Sequence, residues 1–124
     1  MKLFILFSMF FMHIVDDYYL QGILAKMKQK KWWKENTNDN RYRYDYIIAL
    51  LMHAFSWAFL TLIPIVLYLQ SLYVWLCVAL LINAVTHCIV DDLKANKLKI
   101  NLIADQSIHI IQLIITWIVF VIIL

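Results

Sequence analysis

The stretch LYVWLCVALLINAVTHCIVDDLK, residues 72–94, decides the fold. From Leu72 to Val90 it holds no Asp, Glu, Lys or Arg. That length is close to the ~20 residues an α-helix needs to cross hydrocarbon. Near its charged end sit His87 and Asp91, four residues apart. In a helix, positions i and i+4 share one face. Ionisable groups are costly inside a bilayer, so such a pair reads first as a functional site.

The same pattern recurs outward from this stretch. Apolar segments cover residues 3–25, 45–69 and 102–124. The first carries His13 with Asp17, and the last carries Asp105 with His109. The second carries His53 with no acid beside it. Pro64 lies inside that segment, where membrane helices tolerate it and can kink. Gln70 and Ser71 form a tight turn, and Asp91–Asn101 is a second polar connection. These readings predict an all-α fold, an integral membrane four-helix bundle, with the whole of 1–124 as one transmembrane domain.

Composition agrees. The chain has 124 residues, 65% of them hydrophobic, against about 45–50% in a soluble domain. A soluble chain this short buries only part of its surface, so lipid must cover the remainder. Cys77 and Cys88 stand eleven residues apart in one apolar segment. The helical rise between them is about 16 Å, too far for a disulfide. They read as small buried hydrophobes, and nothing points to a secreted disulfide scaffold. The first segment reads as a span rather than a cleavable leader, because it runs on into Asp16, Asp17, Tyr18 and Tyr19 rather than into small residues.

Charge placement sets the expected topology. Of eleven Lys and Arg residues, seven fall between Lys26 and Arg43. Lys94, Lys97 and Lys99 fall in the second polar gap, and none falls around Gln70. Basic loops stay cytoplasmic. The expected location is therefore the plasma or inner membrane, multi-pass, with both termini and the Gln70 turn outside and the 26–44 connection cytoplasmic. The first helix is free to extend past the membrane through Lys34, with the turn at Asn36–Asn40. Trp32 and Trp33 suit an interfacial anchor, so anionic lipid at Lys26–Arg43 is an expected partner alongside the bilayer. Nucleic acid is the weaker candidate, and a homodimer is open.

Depth then brings the polar residues together. Asp17 lies nine residues before Lys26, His53 eight after Asp45, His87 seven before Lys94, and Asp105 and His109 six and ten after Lys99. At 1.5 Å per residue all lie roughly 10–15 Å from the cytoplasmic ends. Four segments thus agree on one layer. Helix bundles build metal sites from carboxylates and histidines on facing helices. The candidate metal ligands are His13, Asp17, His53, His87, Asp91, Asp105 and His109. This nitrogen and oxygen set suits Zn, Mn or Fe, for one ion or two. Lys94 is placed to hold an anionic group, and Gln21 and Gln106 to orient ligands. Asp16 and Asp92 point off the shared face and are expected at the rim. Ser56 and Ser107 read as packing residues. A single glycine, Gly22, excludes Gly-rich phosphate loops.

These residues resemble the Domain of Unknown Function 3307 family, small bacterial and phage membrane proteins. Its H-x-x-x-D-aromatic-x-L-Q pattern is matched by His13, Asp17, Tyr18, Leu20 and Gln21. The second segment supplies His53. The H-x-x-I/V-D-x-x-K pattern is matched by His87, Val90, Asp91 and Lys94, and D-Q-x-x-H by Asp105, Gln106 and His109. The match covers nearly the whole chain. Tyr18, the extra acids Asp16 and Asp92, and a longer Asn-rich connection depart from the pattern without touching the His/Asp pairs. The resemblance implies the fold and the site and names no activity.

Three functions fit. One is a metal-dependent membrane hydrolase acting on a lipid-linked or phosphate-containing substrate. Another is a binding or assembly protein whose His/Asp network is structural. The third is ion or proton transport, which the apolar outer halves of the spans argue against.

Overall fold

Helix α1 (Lys2–Val15) forms from an uninterrupted run of Leu, Phe, Ile and Met, and continues into a wider turn over Asp16–Leu20. In that turn the Gln21 N–H donates to the Asp16 carbonyl, 3.1 Å, one residue further back than in an α-helix. Gly22 then takes φ +50°, a left-handed value that glycine adopts freely. The helix stops there. It does not run on through Lys34.

The computed structural model describes residues 1–124. Past Gly22 the connection folds into two short helices, α2 (Leu24–Met27) and α3 (Lys30–Asn36), with Gln29 extended between them. The Trp33 indole N–H donates to the Met27 carbonyl, 2.7 Å, and its ring stacks on Tyr42. A short turn, Asn40–Tyr42, leads into α4 (Asp45–Leu69). There the Arg41 guanidinium holds the Asp39 carboxyl below the usual carboxylate range. Helix α4 runs as one helix past Pro64. Gln70 and Leu72, at φ 49° and 60°, make the tight turn into α5 (Tyr73–Ala95). Helix α6 (Leu102–Trp117) begins at an Asn101 cap whose side chain accepts from the Ala104 N–H, 2.9 Å. A wider turn, Ile118–Ile123, completes it.

Side-chain register shows the helices alternating in direction. Asn83, His87 and Lys94 of α5 meet Thr116, His109 and Asp105 of α6 in reverse order. Likewise His13, Asp16 and Gln21 meet Trp57, Ser56 and His53 of α4. The Trp117 indole N–H donates to the Lys2 carbonyl, joining the end of α6 to the start of α1. Helix α1 lies on α4 and α6, and α5 on α4 and α6, which closes a ring of four.

The ring is dry at one end and polar at the other. Ile5, Met9, Trp57, Leu62, Ile65, Leu76, Leu113 and Phe120 form the apolar core. Below it lie the buried polar groups His13, Asp16, His53, His87, Asp91, Asp105 and His109. The outside is apolar: Phe4, Phe7 and Phe11 of α1 and Phe55 and Phe59 of α4 are all more than half exposed. Four helices are long and apolar enough to cross a membrane, Lys2–Leu20, Asn40–Leu69, Tyr73–Ala95 and Leu102–Ile123. A surface so apolar around a buried polar layer matches lipid outside the bundle rather than water.

Candidate metal centre

Every one of the seven sequence-proposed ligands reaches the same layer, and all are buried or nearly so. Helix α5 carries the middle of it. The His87 Nε2 lies 3.1 Å from His53 Nε2 on α4, and its Nδ1 lies 3.2 Å from His109 Nδ1 on α6. Three imidazoles thus stand in a row across the bundle. Trp57 stacks on His87 at 4.3 Å between ring centres and fixes its plane.

Carboxylates flank the row. Around His53 Nε2 lie Asp17 Oδ1 at 3.4 Å and Asp91 Oδ2 at 3.3 Å; Asp91 Oδ2 is 3.8 Å from His87 Nε2. Around His109 Nε2 lie Asp105 Oδ1 at 3.4 Å and Asp91 Oδ1 at 3.5 Å. Two groups could hold a metal ion, Asp17 with His53 and His87, and His87 with Asp91 and His109, each with its ligand atoms within 4.8 Å of one another. Four donors at bonds of about 2.0–2.2 Å in tetrahedral array stand about 3.3–3.6 Å apart. Four of the six separations among Asp17, His53, His87 and Asp91, at 3.1, 3.3, 3.4 and 3.8 Å, bracket that value.

Several donors have no hydrogen-bond partner despite full burial: Asp16 Oδ2, Asp17 Oδ1, Asp105 Oδ1 and His109 Nε2. Buried polar atoms left unpaired are costly. Four of the five such atoms, all but Gln112 Oε1, converge on the same layer, where they could serve a cation.

His13 differs from the other ligands proposed. The Trp57 indole can only donate, and it donates to His13 Nδ1 at 2.7 Å. His13 Nε2 therefore carries the proton and donates to Gln106 Oε1, 3.0 Å. Both nitrogens are engaged, and the ring falls outside the two groups. Asp105 also falls outside them, 3.4 Å behind His109. Gln106 in turn donates to Asp105 Oδ2 at 3.1 Å and reaches Asp17 Oδ2 at 3.5 Å. Gln21 Nε2 lies 3.0 Å from His53 Nε2.

Three residues enter the site that sequence placed elsewhere. Asp16 was expected at the rim, yet it is 1% exposed and lies 3.4 Å from His53 Nδ1. The wider turn at Asp16–Leu20 explains this, since an extra residue per turn lets both Asp16 and Asp17 face inward. Ser56 was expected to be a packing residue, but its hydroxyl donates to Asp16 Oδ1, 2.5 Å. Lys28 belongs to the connection, yet its Nζ reaches Asp91 Oδ2 at 2.6 Å with the side chain 12% exposed. The Asn96 amide, which donates to the Lys28 carbonyl, pins it there. Asp92 does sit at the edge, paired with Lys97 at 3.0 Å.

Lys94 Nζ lies 2.6 Å from Asp105 Oδ2. Together Lys28, Lys94, Gln21, Gln106, Asp17 and Asp91 line a cleft of about 380 Å3 that opens at the polar end of the bundle. The site is therefore sealed on the core side and open on the side of the basic connection.

No curated protein and no solved structure matches this chain. Residues 5–124 match the family described as "Protein of unknown function (DUF3307)". That span includes every residue of the site, and the chain belongs to this family.

Proposed function

We propose that this protein is a membrane metalloprotein, and that its His/Asp layer binds a divalent ion of the Zn, Mn or Fe type. The observation that carries the reading is the set of unpartnered buried donors at metal-like spacing around His53, His87 and His109. Charge supports it. Counted as ionised, Asp16, Asp17, Asp91 and Asp105 outweigh Lys28 and Lys94 by two negative charges, which one divalent ion balances.

The cleft gives the chemistry its direction. A divalent ion at this position supplies water acidified to near-neutral pKa and a Lewis acid for a bound oxygen. Asp17, His53, His87 and Asp91 would hold it. Asp16 would orient His53 through Nδ1, and Trp57 would orient His87 by stacking. Lys28 and Lys94 stand at the opening, where an anionic group would enter. We read the activity as hydrolysis of a lipid-linked or phosphate-containing substrate, with the scissile bond presented to the cleft from the cytoplasmic face. Gln21 and Gln106 would position ligand and substrate atoms there.

A second reading is favoured by one contact set. His109 Nε2 faces both Asp91 and Asp105, as an imidazolium would. The layer would then be a charge-balanced structural network in a binding or assembly protein. A through-path for ions is disfavoured by the apolar core that fills the opposite half.

Elemental analysis of the detergent-purified protein separates the readings. One or two equivalents of Zn, Mn or Fe, lost in His87→Ala, support the metalloprotein. A folded, monodisperse protein with no metal overturns it and leaves the structural network.

A further inference from the structure

Asp91 is the one carboxylate of the layer whose two oxygens face different histidines. Its Oδ2 lies 3.3 Å from His53 Nε2, and its Oδ1 lies 3.5 Å from His109 Nε2. His87 is divided in the same way, with Nε2 toward His53 and Nδ1 toward His109. The polar layer therefore has two halves that share α5. One half gathers Asp17 and His53. The other gathers Asp105 and His109, both 0% exposed, with Asp105 Oδ1 and His109 Nε2 unpartnered.

From this division we infer that the protein holds two divalent ions, with Asp91 bridging them. This rests on the metalloprotein reading above and extends it. The first ion takes Asp17 Oδ1, His53 Nε2, His87 Nε2 and Asp91 Oδ2. The second takes His109 Nε2, Asp105 Oδ1 and Asp91 Oδ1; the two oxygens lie 3.4 and 3.5 Å from the nitrogen, which suits bonds of about 2.1 Å. Paired ions bridged by a carboxylate act on phosphate esters by holding the attacking and leaving oxygens at once.

Charge sets the class of ligand at the opening. Two divalent ions balance Asp16, Asp17, Asp91 and Asp105 in full. Lys28 and Lys94, each 2.6 Å from one of these carboxylates, then have no charge left to neutralise inside. Both line the cleft. An anion of phosphate type, free or at the head of a lipid, is the partner that two ammonium groups and two ions would recognise there. Ion loading and phosphate binding are therefore coupled.

The test is the ion stoichiometry of the full chain in detergent, loaded with Mn2+ and read by elemental analysis and electron paramagnetic resonance. Two equivalents with an exchange-coupled spectrum are expected in the parent. Asp105→Asn is expected to retain one equivalent with an uncoupled spectrum, and Asp91→Asn to retain no coupled pair. One equivalent in both parent and Asp105→Asn overturns the bridged pair and leaves the single-ion reading intact. Two equivalents in Asp105→Asn, or none in that variant while folded, overturn it as well. No ion in the parent overturns the reading beneath it. If Asp105→Asn fails to fold, the parent spectrum alone decides: coupled supports the pair and isolated six-line overturns it. Binding of inorganic phosphate, measured by calorimetry, is expected to need Mn2+; phosphate bound equally without it overturns the coupling. Vesicles with and without phosphatidic acid then separate a lipid headgroup from free phosphate as the source.

Discussion

His13 and Trp57 show what a residue's neighbours do to its role. The H-x-x-x-D spacing marks His13 and His87 alike. Spacing reports the face of a helix and says nothing of the lone pairs, and in the fold an indole N–H occupies His13 Nδ1. Trp57→Phe keeps an aromatic ring on His87 and removes that donor. Leaving a buried acceptor unpaired costs about 1–3 kcal/mol. We expect a lower melting temperature in detergent and an unchanged metal content. Loss of metal in this variant would mean that His13 is itself a ligand. Lys28 carries the opposite expectation. Its ammonium competes with any cation for Asp91 Oδ2. Lys28→Met should therefore melt earlier in chelator and bind metal several-fold more tightly, as followed by competition with a metallochromic dye. Lys28 was invisible in sequence because seven basic residues crowd one connection, and only the fold selects which of them turns inward.

At the scale of elements, the four apolar runs and the tight turn at Gln70 were legible from helical length and composition. Two boundaries were not. Helix α5 extends to Ala95, which places Asp91 and Lys94 on regular helix rather than in a connection. Helix α1 ends in a wider turn and then breaks at Gly22, because hydrogen-bond slippage by one residue leaves no compositional trace. Gly22 has positive φ, and a Cβ there would meet only the Leu20 carbonyl at 3.8 Å. The cost of a side chain is thus one of backbone conformation, about 1–2 kcal/mol for Ala. Asn tolerates this region better. We expect Gly22→Ala to melt earlier than the parent and Gly22→Asn to fall between them, in thermal scans in detergent. Equal melting of all three would show that the turn does not constrain α2. Asn101 caps the helix that carries Asp105, Gln106 and His109. Its replacement by Ala should cost about 1 kcal/mol, seen in the same scans.

For the whole molecule, the two ends of the bundle have opposite chemistry, and that asymmetry constrains orientation. Lys28, Lys30, Lys34, Arg41, Arg43, Lys94, Lys97 and Lys99 all gather at the end where the cleft opens. The opposite end carries the exposed, uncharged Leu67, Tyr68, Tyr73, Val74 and Trp75, with Lys2 the one Lys or Arg there. Cationic segments resist translocation, so the open end should face the cytoplasm and the Gln70 turn the outside. The site would then draw its substrate from the cytoplasmic leaflet or the cytosol. Asn38 in the connection and Ser71 in the turn mark the two ends. With Cys77 and Cys88 changed to Ala, a cysteine introduced at Asn38 should react with a membrane-impermeant maleimide only in inside-out vesicles. A cysteine at Ser71 should react only in right-side-out ones. The reverse pattern would place the cleft on the outer face and exclude a cytoplasmic substrate. Reaction of both from one side would mean that α4 and α5 enter the bilayer without crossing it.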